Sequence, residues 1–208
     1  MNTDRRSGET LPRSFYLRDN VTAISRELLG KYLCTSFNGE PFTAGMIVET
    51  EAYTADGDRA CHAYNGRRTE RTEIMFRRGG LAYVYLCYGI HHLFNVVTNA
   101  KGEADAILVR ALKPADGVAR MLQRRGKAKL NRQVAGGPGM LTQALGIKTN
   151  HYGTDLTGDK IWIEDRGVEI DEKLITAGPR VGVDYAGEDA LLPWRFRLTD
   201  GGWTSKPD

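Results

Sequence analysis

The run Met46-Ile47-Val48-Glu49-Thr50-Glu51-Ala52-Tyr53 alternates with the period of a β-strand. Successive side chains of an extended chain point to opposite faces, so Met46, Val48, Thr50 and Ala52 share one face and Glu49, Glu51 and Tyr53 the other. The first face can pack on a core, while the second sets two carboxylates beside a phenol. A second run, Leu81-Ala82-Tyr83-Val84-Tyr85-Leu86-Cys87-Tyr88, carries three tyrosines and stops at Gly89. Two further strands are expected at residues 94–98 and 106–112. A carboxylate row near an aromatic cluster, flanked by arginines, suits chemistry on a flat ring.

Residues 20–33 read as a first helix, with Val21, Ile24, Leu28 and Leu29 along one side and Gly30 near its end. Other strands are expected at 31–37, 45–53, 160–163, 169–170 and 194–198. Residues 116–124 read as helical, and Gly137-Pro138-Gly139 leads into a helix over 140–146 closed by Gly146. Asp56-Gly57-Asp58 and residues 77–80 read as turns, and 65–71 as a polar, basic loop. Strands and helices mix without a regular βαβ alternation, which predicts an α+β fold with an antiparallel or mixed sheet.

At 208 residues the chain suits one domain with a real core, expected over 14–200, with residues 1–13 and 201–208 as flexible tails. No apolar run approaches the ~20 residues of a membrane span. Residues 1–13 lack the apolar stretch of a signal peptide. The three cysteines, Cys34, Cys61 and Cys87, are odd in number and far apart, with no CxxC spacing. Together these features predict a chain kept in a reducing compartment, not secreted and not bound to a membrane.

Net charge is only +3, but it is unevenly spread. Residues 113–132 hold seven Lys/Arg against one acid, whereas 151–208 hold seven basic and twelve acidic residues. The basic segment is read either as a solvated loop or as a surface for a polyanion.

Several residues can carry chemistry. Glu49 and Glu51 suit a general base, a metal site or solvated surface pairs, and strand carboxylates are most often solvated. Asp56, Asp58 and His62 lie near enough in sequence to join them around a metal. Tyr83 and Tyr85 fall on one strand face with Tyr88 just beyond, and Tyr53 would complete an aromatic slot. His62 can read a base edge, although a lone histidine is more often structural. Asn95 and Arg110 are polar residues in otherwise apolar strands, and a buried polar group needs partners. Arg110 could pair with Glu49 or Glu51. The glycine-rich entry at 137–139 is read as an ordinary turn or as a phosphate contact.

Taken in order, these motifs resemble the alkyladenine (3-methyladenine) DNA glycosylases, over nearly the whole chain. The resemblance is carried by Ile47-Val48-Glu49-Thr50-Glu51-Ala52-Tyr53, His62, Tyr83-Val84-Tyr85-Leu86-Cys87-Tyr88-Gly89 and Asn95. It continues through Leu108-Val109-Arg110-Ala111-Leu112-Lys113-Pro114, Gly137-Pro138-Gly139 and Arg180-Val181-Gly182-Val183-Asp184-Tyr185-Ala186-Gly187. It implies a compact single-domain structure with a curved, largely antiparallel sheet, acting as a monomer without metal or cofactor.

The implied partner is duplex DNA containing damaged purines, in the cytoplasm and nucleoid of a bacterium or in a nucleus. The resemblance makes Glu51 the general base, with Arg110 near the attacking water. Tyr53, His62 and Tyr85 become the residues that sandwich a flipped base, Asn95 the one that screens it, and Tyr88 a wedge in the duplex. DNA-backbone contacts are expected at Arg67, Thr69, Arg71, Gly139 and Met140. The family often carries lysine where this chain has Met140, and basic residues between Arg124 and Arg132 are expected to compensate. Two rival readings use the same residues differently. One is a metal-dependent nuclease built on Glu49, Glu51, Asp56 and Asp58, and the other is a damage-binding protein without catalysis.

Overall fold

The computed structural model of the chain describes residues 7–199 and 202–205. In chain order its elements are β1 (Glu9–Thr10), α1 (Arg13–Tyr16), α2 (Val21–Glu27), β2 (Tyr32–Thr35), β3 (Thr43–Tyr53), β4 (Ala82–Cys87), β5 (His91–Thr98) and β6 (Asp105–Asp116). They continue with α3 (Val118–Arg125), α4 (Pro138–Leu145), β7 (Ile161–Asp165), β8 (Ile175–Gly178) and β9 (Arg195–Leu198). The strands form one antiparallel sheet in the order β1-β7-β2-β3-β6-β5-β4, with β9 on β3 and β8 on β9. This is the α+β architecture that the mixed pattern predicts. No helix of the described residues is long and apolar enough to cross a membrane.

The centre of the sheet is β3. It pairs with β6 along one edge, and its other edge is divided: residues 43–46 pair with β2 and residues 49–51 with β9. Three irregularities interrupt the β3–β6 ladder, and the two nearest the glutamates compensate each other. Ile47 faces Leu112, Glu49 faces Ala111 and Thr50 faces Val109, so Val48 and Arg110 have no opposite number. Such bulges bend a strand and re-aim side chains. Here they disturb the strict alternation expected of the run: Ile47 and Val48 both enter the main core, and Arg110 is aimed at the two glutamates.

The two faces of the sheet bury different clusters. On one, α2, α3 and α4 pack through Ile24, Leu28, Met121 and Leu141 against Phe94 and Ile107. Helix α2 is capped by the Asn20 side chain, which accepts from the Ala23 amide at 2.9 Å. It is tied to β3 by the Ser25 hydroxyl, which donates to Thr50 Oγ1 at 3.0 Å. On the other face the connection between β3 and β4 folds back as two short 3-10 turns. It buries Cys61, Met75 and Phe76 against Tyr83 and Val97.

Two expectations need correction. The first helix ends at Glu27, because Gly30 takes φ +83° and its amide donates to the Ile47 carbonyl at 2.9 Å. A backbone group committed to the sheet cannot continue a helix. Residues 169–170 form no strand; the chain instead adds β8, which pairs with β9. Glu9–Thr10 pair with β7, Arg13 donates to the Gly79 carbonyl at 2.8 Å, and the Ser205 amide donates to Glu49 at 2.6 Å. Residues 1–6, 200–201 and 206–208 lie outside the described residues.

Candidate active site

Glu49 and Glu51 are both fully buried, contrary to the solvated state most usual for strand carboxylates. Arg110 bridges them, its Nε 3.0 Å from Glu49 Oε1 and its Nη1 3.2 Å from Glu51 Oε1. The two carboxylates then diverge in their other partners. Glu49 Oε1 also accepts from Arg195 Nε at 2.8 Å and from the Ser205 hydroxyl at 2.7 Å, and Oε2 from the Ser205 amide at 2.6 Å. Burial would raise the Glu49 pKa, but Arg110, the Ser205 hydrogen bonds and Arg195 outweigh it and hold the group below its ordinary value. Glu49 thus accepts four hydrogen bonds, three at Oε1 and one at Oε2.

Glu51 is arranged differently. Its Oε1 accepts from the Val181 amide at 2.8 Å and faces Arg110, while Oε2 accepts from the Tyr53 hydroxyl at 2.7 Å. Burial first, and the adjacent Glu51 charge second, push the Tyr53 pKa well up. The phenol therefore stays protonated and donates. Oε2 keeps acceptor capacity for one more donor, as a carboxylate oxygen has two lone-pair sites. Tyr53 and Arg110 line a cleft of about 520 Å³ with His62, Tyr83, Tyr85 and Asn95.

The cleft walls are aromatic. The His62 ring lies edge-on to Tyr85, with centroids 4.9 Å apart and planes at 76°, and its Nδ1 shares a 2.8 Å hydrogen bond with the Tyr83 hydroxyl. Tyr83 and Tyr85 rings lie 5.2 Å apart. Asn95, buried on β5, donates from Nδ2 to the Tyr83 carbonyl at 3.1 Å. Burial, then the charges of Arg71 and Arg67, lower the His62 pKa from 6.5 to about 4. Its ring is neutral at physiological pH. As pH falls below about 6.5 the unfolded chain takes up this proton before the folded one does, so the native state loses stability between about 6.5 and 4. Thermal melts of wild type and His62→Gln should show a smaller loss in the variant from pH 7 to pH 5. Equal losses would assign the acid sensitivity elsewhere.

At the mouth of the cleft, β4 and β5 are joined by a tight turn in which the Ile90 amide donates to the Cys87 carbonyl at 3.1 Å. Tyr88 and Gly89 both have positive φ, +51° and +74°, the signature of a type I′ hairpin. Glycine adopts that conformation freely, whereas tyrosine is strained in it. Tyr88 is 90% exposed and Ile90 70%, so the hairpin presents an unsupported apolar tip.

Arg67, Thr69 and Arg71 are exposed; Arg71 lines the cleft, 5.8 Å from the Tyr85 ring centre. Gly139 and Met140, both half-buried, adjoin the base of the hairpin. A Cβ on Gly139 would come within 2.9 Å of the His91 ring. Tyr53, His62, Tyr85, Tyr88, Asn95 and Arg110 thus line one cleft, with Glu51 bonded to two of them.

The basic segment behaves otherwise. Arg120 and Arg124 both pair with Glu40, Arg124 also donates to the Ala144 carbonyl at 2.9 Å, and Arg125 bonds Gln143. Arg124 and Arg125 therefore serve the C-terminal end of α4, where cations offset the helix dipole. Met140 lies toward the opposite end of that helix from these two arginines. Nor do the carboxylates converge as the nuclease reading requires. Glu49 is committed to Arg110 and Arg195, Asp58 is paired with Arg180, and Asp56 is exposed. Among the described residues no three His, Cys, Asp or Glu side chains are grouped to hold a metal ion.

Sequence reasoning missed Arg180, Val181, Arg195 and Ser205 as site residues. Arg180 and Arg195 are buried arginines, and a buried cation demands a partner, but the partners are 122 and 146 residues away.

The family model described as Methylpurine-DNA glycosylase (MPG) matches residues 14–201. A Chlamydia felis protein provisionally named 3-methyladenine DNA glycosylase is 46% identical over 189 residues, 90% of this chain and 95% of that one. Proteins of the same provisional name from Carboxydothermus hydrogenoformans and Bacillus licheniformis are 46% and 43% identical, covering 94% and 95% of this chain and 98% and 97% of theirs. With a family model and relatives matched across nine-tenths of its length, the chain belongs to the methylpurine-DNA glycosylase family.

Proposed function

We propose that this protein flips alkylated or deaminated purines, 3-methyladenine, hypoxanthine and ethenoadenine among them, out of duplex DNA and hydrolyses their N-glycosidic bonds. The observation that carries this reading is the buried Glu51 carboxylate, held by the Val181 amide, Arg110 and the Tyr53 hydroxyl behind an aromatic cleft. A stacked base is out of reach of such a carboxylate, so the nucleotide must leave the helix. Extrusion costs a few kcal/mol, least for a damaged or mispaired base, and selection begins there. The exposed Tyr88 tip fills the vacated stack, as inserted side chains do in kinked duplexes. Arg67, Thr69, Arg71, Gly139 and Met140 contact the backbone around it.

In the cleft the purine lies against Tyr53, Tyr85 and His62, with Asn95 at its edge. A methylated purine is cationic, so it gains from π faces. The neutral state of His62 matters here, because an imidazolium would repel it. Glu51 orients a water toward C1′ and takes its proton, and its charge stabilises the oxocarbenium-like state that develops as the bond to the base lengthens.

Residues 51–88 contain no lysine, so water rather than an amine is the nucleophile and the product is an intact abasic strand. The test is base release from a duplex with one hypoxanthine or one ethenoadenine, in EDTA, with borohydride present in a parallel reaction. Release in EDTA without a trapped protein–DNA adduct is expected. A trapped adduct would overturn the water mechanism, and release that requires added metal would favour the nuclease-type site. Tight binding with no release of these bases or of 3-methyladenine would leave only a damage-binding protein.

A further inference from the structure

Arg180 is not among the residues assigned above to base contact or water activation, yet its side chain is as completely enclosed as that of Glu51. Its side chain and that of Asp58 are both fully buried. It forms a two-pronged pair with Asp58, Nη1 to Oδ2 at 2.6 Å and Nη2 to Oδ1 at 2.8 Å. The same two nitrogens donate to the Ala52 carbonyl at 2.8 Å and the Asp189 carbonyl at 3.0 Å. Ala52 lies between Glu51 and Tyr53, so this bond fixes β3 at the point where the site is built. The guanidinium carbon lies 4.7 Å from the Tyr53 ring centre and 5.1 Å from that of Trp194. The next residue, Val181, supplies the amide that holds Glu51 Oε1.

One side chain therefore connects three things that base release needs in register: the orientation of the Glu51 carboxylate, the placement of the Tyr53 ring and the wall of the cleft that begins at Val181. We propose that Arg180, locked by Asp58, is a positioning residue for base release, setting Glu51 through the Val181 amide and Tyr53 through contact with its ring. The proposal rests on the glycosylase reading above. The planar fork of arginine is essential to it. A lysine keeps the charge but carries its donors on one atom, and cannot span two carboxylate oxygens and two carbonyls.

The test is single-turnover release of hypoxanthine from a duplex by wild type, Arg180→Lys and the near-isosteric Asp58→Asn. The active fraction of each is titrated with a duplex carrying a non-cleavable tetrahydrofuran abasic analogue. A displacement of about 1 Å at a reacting group costs on the order of 100-fold in rate. Both variants should accordingly show rate constants roughly 10–100-fold lower. Their active fractions should stay full, and affinity for the abasic-analogue duplex should stay within about twofold of wild type. Unchanged rate constants would overturn the proposal. So would activity that falls only in proportion to the active fraction, or failure of both variants to yield folded protein, since either would make the pair purely structural. Absence of release by wild type would instead count against the glycosylase reading itself.

Discussion

Glu51→Gln should lower the rate of base release by roughly 10²–10⁴-fold, the contribution typical of a general base, while leaving binding of lesion-bearing duplex close to wild type. The amide is nearly the same size and keeps an acceptor oxygen for the Val181 amide or the Tyr53 hydroxyl. What it loses is the ability to take a proton from water and to place a full negative charge beside the developing oxocarbenium. Arg110 stays paired through Glu49, so the fold should tolerate the change. Single-turnover base release and a binding titration on the same duplex check this. Retained release would remove Glu51 from the chemistry. Lost binding would turn it into a residue of recognition.

The neighbouring Glu49→Gln should behave in the opposite way. Glu49 neutralises two arginines that are themselves buried, Arg110 and Arg195, and accepts both hydrogen bonds from Ser205. Removing one partner of a buried ion pair typically costs about 3–5 kcal/mol, because the other charge is left uncompensated. For a domain of this size about 3 kcal/mol corresponds to a fall in Tm on the order of 10 °C.

The sign of the pH dependence follows from the lowered pKa of Glu49. Its contribution is fully present above the ordinary value of about 4.5 and is lost as pH falls through the lower folded value. The gap between wild type and variant should therefore narrow in acid. Thermal melts at pH 7 and at pH 4 and below test both points. A variant with wild-type Tm would show that Arg110 and Arg195 find other partners. If Glu49→Gln abolished base release at unchanged Tm, the roles of the two glutamates would be reversed.

These two predictions separate residues that the sequence presents as equals. Glu49 and Glu51 sit two apart on one strand, and nothing local distinguishes them. The difference comes from what the fold brings to each. Glu49 receives Arg195 and Ser205 from the end of the chain, whereas Glu51 receives the Val181 amide and a phenol that lines the cleft. The same limit applies to the basic segment. Its charge is plain in the sequence, but Arg120 and Arg124 turn inward to Glu40, some 80 residues earlier.

The sequence by itself determined the strand-rich α+β character, the aromatic residues of the cleft, and, through ordered motifs, the family. Those properties reside in short-range periodicity and in residue types at close spacing, which a linear reading captures. Only the tertiary structure decided which partners each glutamate receives, that paired bulges aim Arg110 between the two, and that Arg180 and Asp58 brace the cleft wall. Each depends on groups 61 to 146 residues apart meeting within about 3 Å. Burial makes such meetings obligatory, because a charge removed from water must find a partner. The choice of partner is set by the path of the backbone, which no local pattern contains.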